Sequence, residues 1–115
     1  QLEPDNTSYL RDLSISFDRL GDLDGRVDPA KARGWFEQGL DIARRLVQLE
    51  PDNTGYLRDL VISYYRLTTA CRDQGDRPAA KEHLDALRRA LSAMDERGIL
   101  DEPALREVFN WDPFE

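Results

Sequence analysis

The sequence has little of what most protein chemistry depends on. Its 115 residues include one cysteine, Cys71, and one histidine, His83. A lone cysteine cannot close an internal disulfide, and the two residues together fall short of the ligands of a structural zinc site. Cys71 sits in an apolar stripe with no histidine within a turn, so it lacks the base that would hold a nucleophilic thiolate and is expected to be a packing residue. His83 stands beside Glu82 and Asp85 and is expected on a solvated helix face. No glycine-rich cradle for phosphate occurs. No run of about 18 apolar residues is present, and no succession of charged, apolar and small residues marks a secretory signal. These absences point to a soluble, cytoplasmic protein with no metal, no cofactor and no catalytic centre. Basic residues are outnumbered: 16 Lys and Arg stand against 23 Asp and Glu, a net charge of −7. That sign opposes nucleic acid and anionic membrane surfaces, and basic or neutral protein partners fit it better.

One carboxylate cluster invites a metal reading. Asp22-Leu23-Asp24-Gly25-Arg26-Val27-Asp28 echoes the middle of an EF-hand calcium loop. In that register, however, the first ligand is Leu20 and the twelfth, where a bidentate glutamate belongs, is Lys31. The segment therefore reads as a polar loop between two helices.

What the chain does have is a duplication. Residues 1–20, QLEPDNTSYLRDLSISFDRL, return at 48–67 as QLEPDNTGYLRDLVISYYRL, with only four of the twenty positions changed. A repeat with a period of about 20–50 residues marks a solenoid, in which each unit buries its apolar face against its neighbours. The second halves align when Phe36 is set opposite Leu84. Each unit is then two helices long: repeat 1 spans about 4–50, repeat 2 about 51–97, and an acidic, aromatic cap and tail fills 98–115. All belong to one domain of 1–115.

The helix boundaries follow from local chemistry. Leu10, Leu13, Phe17 and Leu20 recur at helical spacing, and Leu57, Leu60, Val61, Tyr64, Leu67 and Cys71 repeat the stripe. Pro-Asp-Asn-Thr before each stripe supplies a chain break and capping oxygens. These signals predict helices over 7–23 and 54–73. Pro29 and Pro78 fit the first turn of a following helix, where a missing N–H costs nothing, so second helices are expected over 29–49 and 78–97. The first of these carries Ala32, Trp35, Phe36, Gly39, Leu40, Ala43, Leu46 and Val47, the second Leu84, Leu87, Leu91 and Met94. A short helix over 102–109 follows Gly98. Because Gln1-Leu2-Glu3 repeats the wording that closes the helix at 48–50, the chain is expected to begin inside a repeat, with the outer side of its first helix unpaired. The expected fold is an all-α solenoid of helical hairpins, two repeats and a cap.

At this point the residues resemble a known family. Leu13-Ser14, Phe17 and Leu20-Gly21-Asp22, followed by Ala32, Phe36 and Gly39, resemble the tetratricopeptide pattern; repeat 2 supplies Leu60, Tyr64, Leu67, Pro78 and Leu84 but lacks the glycine. The period of 47 exceeds the family's ~34, which lengthens the second helices by about two turns. The wording Arg58-Asp59-Leu60-Val61-Ile62-Ser63-Tyr64 at this long period is similar to arrays in bacterial multidomain signalling and defence proteins. The resemblance implies a protein-binding scaffold whose first helices line a concave groove, or a segment that drives assembly of a larger effector.

On a helical wheel, Arg11, Ile15 and Arg19 lie on the face turned from the core, and Arg58, Ile62 and Arg66 repeat them, with Tyr65 where the first helix has Asp18. Arginine forks suit carboxylates and isoleucine gives an apolar floor. These seven residues, Arg11, Ile15, Arg19, Arg58, Ile62, Tyr65 and Arg66, are the candidate partner-binding set, for a peptide or protein that could be acidic. The competing reading pairs the arginines with Asp12, Asp18 and Asp59 as scaffold. The tail, Asn110-Trp111-Asp112-Pro113-Phe114-Glu115, has a composition that the stripe could accept, and is expected either there, touching Arg58, Tyr65 or Arg66, or packed on the helix at 78–97.

Overall fold

A computed structural model describes residues 6–114. Five helices follow one another: α1 (Thr7–Asp24), α2 (Pro29–Leu49), α3 (Thr54–Asp73), α4 (Arg77–Glu96) and the short α5 (Pro103–Val108). Among the described residues there is no strand, and no helix is long and apolar enough to cross a membrane. The fold is all-α and built of helical hairpins, α1 with α2 and α3 with α4, with α2 packed on α3 to join them.

The helix starts use the residues that local chemistry assigns. Asn6 Oδ1 accepts from the Tyr9 N–H at 3.0 Å, and Asn53 Oδ1 from the Tyr56 N–H at the same distance. Asp28 and Asp76 do likewise for Lys31 and Ala79, ahead of Pro29 and Pro78. Each cap supplies an acceptor to an N–H with no partner inside the helix, worth about 1 kcal/mol. At the other end, Gly75 (φ 78°) and Gly98 (φ 71°) take the left-handed conformation that ends α3 and α4. There the Asp76 N–H reaches back to the Cys71 carbonyl, and the Ile99 N–H to that of Met94, bonds that satisfy carbonyls left open by the last turn.

The core lies between the two hairpins. Ala32, Phe36, Leu40 and Ala43 of α2 meet Leu60, Tyr64 and Leu67 of α3, and Leu87, Leu91 and Met94 of α4 close the far side. Leu100 and Leu105 extend the core beneath α4, with Val108, Phe109 and Trp111 packed against it. Cys71 is fully buried in α3, and burial raises its thiol pKa.

Close approach of α1 to α2 depends on two small positions. A Cβ on Gly21 would stand 2.4 Å from the Phe36 ring, and one on Gly39 would stand 2.7 Å from Asp18 Oδ1. The Ser14 hydroxyl donates to the Gly39 carbonyl at 3.2 Å across the same contact.

Two expectations are corrected. Leu13, Phe17 and Leu20 were assigned to the core stripe of the first helix, but only Leu10 of that stripe is buried; Leu13 and Phe17 are half-buried and Leu20 is 39 % exposed. Leu13 and Leu20 lie on a side of α1 turned from α2, while Phe17, at its edge, stacks on Trp35 of α2 with ring centroids 5.7 Å apart. His83 is half-buried rather than solvated, tilted against Tyr64 with ring centroids 6.3 Å apart. Its pKa is lowered by burial, and then by Arg33 and Arg44. The expectations resting on Gln1, Leu2, Glu3 and Glu115 lie outside the described residues.

Candidate interaction groove

The fold brings the candidate stripes of the first and third helices side by side. Because α2 separates α1 from α3 only on the core side, their opposite faces border a common concavity. One compartment, of about 160 Å³, is lined by Ile15, Asp18 and Arg19 of α1 and by Asp59, Ile62 and Arg66 of α3, with Ser14 at its base. A larger one, of about 500 Å³, adjoins it through Ile62 and Arg66. Its walls are Gly21, Asp22 and Gly25 from the end of α1, Phe36 from α2, and Tyr65, Thr69, Ala70 and Asp73 from α3. The absent side chains at Gly21 and Gly25 open it and Phe36 floors it. Five of the seven candidates therefore line one groove: Ile15, Arg19, Ile62, Tyr65 and Arg66. Ile15 and Tyr65 are exposed, at 39 % and 42 %.

The remaining two are engaged elsewhere. Arg11 Nε donates to Asp59 Oδ2 at 3.0 Å, and its guanidinium lies 5.9 Å from the Tyr56 ring centroid. Arg58 Nε donates to Glu102 Oε1 at 2.7 Å, tying α3 to the residue that starts α5. Each links one helix to the next first-helix position along the stack. Arg66 is bound too, with its two Nη atoms 3.4 Å from Asp18 and from Asp22. The arginine stripe is thus largely internal wiring between repeats, as the scaffold reading has it for Asp18 and Asp59. Asp12, also named in that reading, takes no part. Across both compartments the lining carries four aspartates, Asp18, Asp22, Asp59 and Asp73, against Arg19 and Arg66. The groove is acidic on balance, with Asp22 and Asp73 on its exposed rim.

Asp18 is the unusual group. Its pKa is raised from 3.8 to about 6, first by burial, against which Arg66 pulls downward and Asp22 and Asp59 push upward. Its Oδ1 is buried and lacks a hydrogen-bond donor. Such an oxygen costs free energy while ionised.

The tail takes a mixed position. The Trp111 ring lies 4.6 Å from that of Tyr65, while its carbonyl accepts from Arg88 of α4 at 3.0 Å. Arg72 donates to the Pro113 carbonyl and Arg77 covers the Phe114 ring at 4.7 Å. Asp112 caps its own turn by accepting from the Phe114 N–H. Only Tyr65 of the expected trio touches the tail, and Arg72 of α3 together with Arg77 and Arg88 of α4 holds the rest of it.

The carboxylates of the EF-hand echo serve the hairpin. Asp24 Oδ2 accepts from the Trp35 indole at 2.7 Å, Asp28 caps α2, and Asp22 holds Arg66. No family model, curated protein or solved structure matches the chain. The groove's identity rests on its own chemistry.

Thr69, Ala70 and Asp73 were not anticipated. They continue the Ile62, Tyr65 and Arg66 face by one and two turns, so extending the helical spacing would have found Thr69 and Asp73. Gly21, Gly25 and Phe36 left no such signal, because their role comes from the way α1 meets α2.

Proposed function

We propose that the chain is a non-catalytic, tetratricopeptide-like repeat module that holds a segment of another polypeptide in the groove between α1 and α3. One observation carries the reading: two compartments joined through Ile62 and Arg66, open to solvent, the larger of them floored by Phe36. An exposed Ile15 and a half-buried Ile62 have no use on a purely ionic face, whereas an apolar floor with polar walls suits an extended segment bearing an aliphatic or aromatic anchor. The charge balance modifies the acidic partner anticipated from the arginine stripe. With Arg66 facing Asp18 and Asp22, four aspartates to two arginines favour an anchor flanked by Lys or Arg, in keeping with the net charge of −7.

The test is titration of three nine-residue peptides into 15N-labelled protein. Each has a central Leu-Phe anchor, flanked by lysine, serine or glutamate. The lysine peptide should bind most tightly and shift the amides of Ile62, Tyr65, Ala70 and Asp73. Ile62→Asp should remove that response. Absence of any response at about 1 mM peptide, the weak end of specific affinity, or equal binding by Ile62→Asp, ends this reading.

A further inference from the structure

A third side of α1, turned from both α2 and the groove, carries Tyr9, Leu13 and Leu20 in one stripe, with Leu23 at one edge and, at the other, Phe17, whose ring stacks on Trp35 of α2. Tyr9 is 38 %, Leu20 39 % and Leu23 72 % exposed. The 47-residue offset sets Tyr9, Leu13, Ser16, Phe17 and Leu20 against Tyr56, Leu60, Ser63, Tyr64 and Leu67, none of which is more than 9 % exposed. In α3 these positions are covered by a neighbouring helix: Tyr56 packs with Leu46, and the Tyr64 hydroxyl accepts from Arg44 of α2. The stripe on α1 therefore has the make-up of a helix–helix interface and continues the one between α2 and α3.

The other end of the stack is closed. Leu100 and Leu105 are buried, and Val108, Phe109 and Trp111 pack on the core beyond α4. Among the described residues the α1 stripe is the uncovered one, and the same stripe of a second copy can cover it through a twofold axis.

We infer that the chain forms a twofold dimer in which the α1 stripe packs antiparallel on the same stripe of a second copy. The segment is self-complementary about Ser16. With the axis there, Leu13 faces Leu20 of the second copy, Tyr9 faces Leu23, and the small Ser16 side chains stand where the helices approach. Asp12 and Arg19 share one flank of α1, and an axis between antiparallel helices keeps like flanks on the same side. Asp12 of one copy then lies beside Arg19 of the other. Neither side chain has an ion pair within the chain among the described residues. The dimer uses a charge pair that the monomer leaves open.

Sedimentation equilibrium of the full chain, up to about 1 mM, should show a dimer. Leu20→Glu should raise the dissociation constant at least about tenfold by placing a charge in the apolar contact, with helical circular dichroism unchanged because Leu20 is exposed. Arg19→Asp should weaken the dimer, and Asp12→Arg added to Arg19→Asp should restore it. A monomer at the highest concentration overturns the inference. So does a dimer indifferent to Leu20→Glu, one lost only in Ile62→Asp, or failure of the double charge swap to restore association.

Discussion

Helices α1 and α3 are near copies in different surroundings. Each begins with an asparagine cap accepting from the third residue on, and they share Leu10 with Leu57, Leu13 with Leu60, and Leu20 with Leu67. Yet Leu67 is fully buried and Leu20 is 39 % exposed. The same leucine in the same helical phase is core in one and surface in the other, because α3 lies packed between α2 and α4 while α1 packs along its length on α2 alone and meets α3 through Leu10 and ion pairs. Two of the four positions that differ fit this contrast: Phe17 becomes Tyr64, with a hydroxyl that reaches Arg44, and Asp18 becomes Tyr65, which meets Trp111. Local sequence makes the helix, and its neighbours decide what each face does.

The sharpest break in the comparison is a matched pair of truncations. Leu67→Ala should cost about 2–5 kcal/mol, since it leaves a cavity between three helices, a large part of a total on the order of 5–15 kcal/mol. Leu20→Ala should cost less than about 1 kcal/mol at concentrations where the chain is monomeric, as exposed substitutions do. Urea unfolding of both reads the difference directly, and equal losses would mean that the outer side of α1 is covered in the monomer.

Next in size is the position at which α1 has Asp18 and α3 has Tyr65. Folding raises the Asp18 pKa from 3.8 to about 6, so the folded chain holds its proton more tightly than the unfolded chain. The stability this contributes is complete below about pH 4 and is lost as pH rises through 6. At 1.36 kcal/mol per pKa unit the span is up to about 3 kcal/mol. Asp76 works in the opposite sense. The hydrogen bond from Arg33 and then that from the Ala79 N–H lower its pKa, so its contribution is present at neutral pH and fades as pH falls. Asp18→Asn isolates the first effect: relative to wild type, the variant should gain by up to about 3 kcal/mol between pH 4 and pH 7. Thermal melts across that range check this, and a pH-independent difference would contradict the placement of Asp18.

The smallest effect concerns how each hairpin closes. Gly21 meets Phe36 in repeat 1, whereas Thr68 and Leu84 hold the corresponding places in repeat 2, with the Thr68 hydroxyl donating to the Tyr64 carbonyl. Gly21→Ala gains up to about 1 kcal/mol in helix propensity, but its Cβ strikes the ring at an overpacking cost of about 1–3 kcal/mol. A net loss of about 1 kcal/mol is expected. Adding Phe36→Leu should reverse the sign of the Gly21→Ala effect, and a double-mutant cycle by chemical denaturation measures that coupling. Additive changes would show that the glycine answers to something other than the ring.

Much of the fold was legible beforehand because its signals are local. The Pro-Asp-Asn-Thr segments, Pro29 and Pro78, and the spacing of Leu57, Leu60, Tyr64 and Leu67 each act within a turn or two of the helix they define. The 47-residue repeat then orders those helices in space. The groove was legible in part: Ile15, Arg19, Ile62, Tyr65 and Arg66 follow from helical phase alone. What phase cannot show is whether an arginine on that face is open. Arg11, Arg58 and Arg66 meet carboxylates 44 to 48 positions away in the chain, and the sign of the groove changes with those pairings.

By itself, then, the sequence determined the helices, their caps, the hairpin order and the direction in which each apolar stripe points, since these depend on hydrogen bonds and periodicity inside single elements. Only the tertiary structure decided which stripe is covered. It left Leu20 exposed and Leu13, Phe17 and His83 half-buried, the last against Tyr64. It set Trp111 on Tyr65 and enclosed Asp18 without a donor for Oδ1. Burial and charge pairing are properties of the neighbour, and in this chain the neighbour is a different helix, one or two elements away.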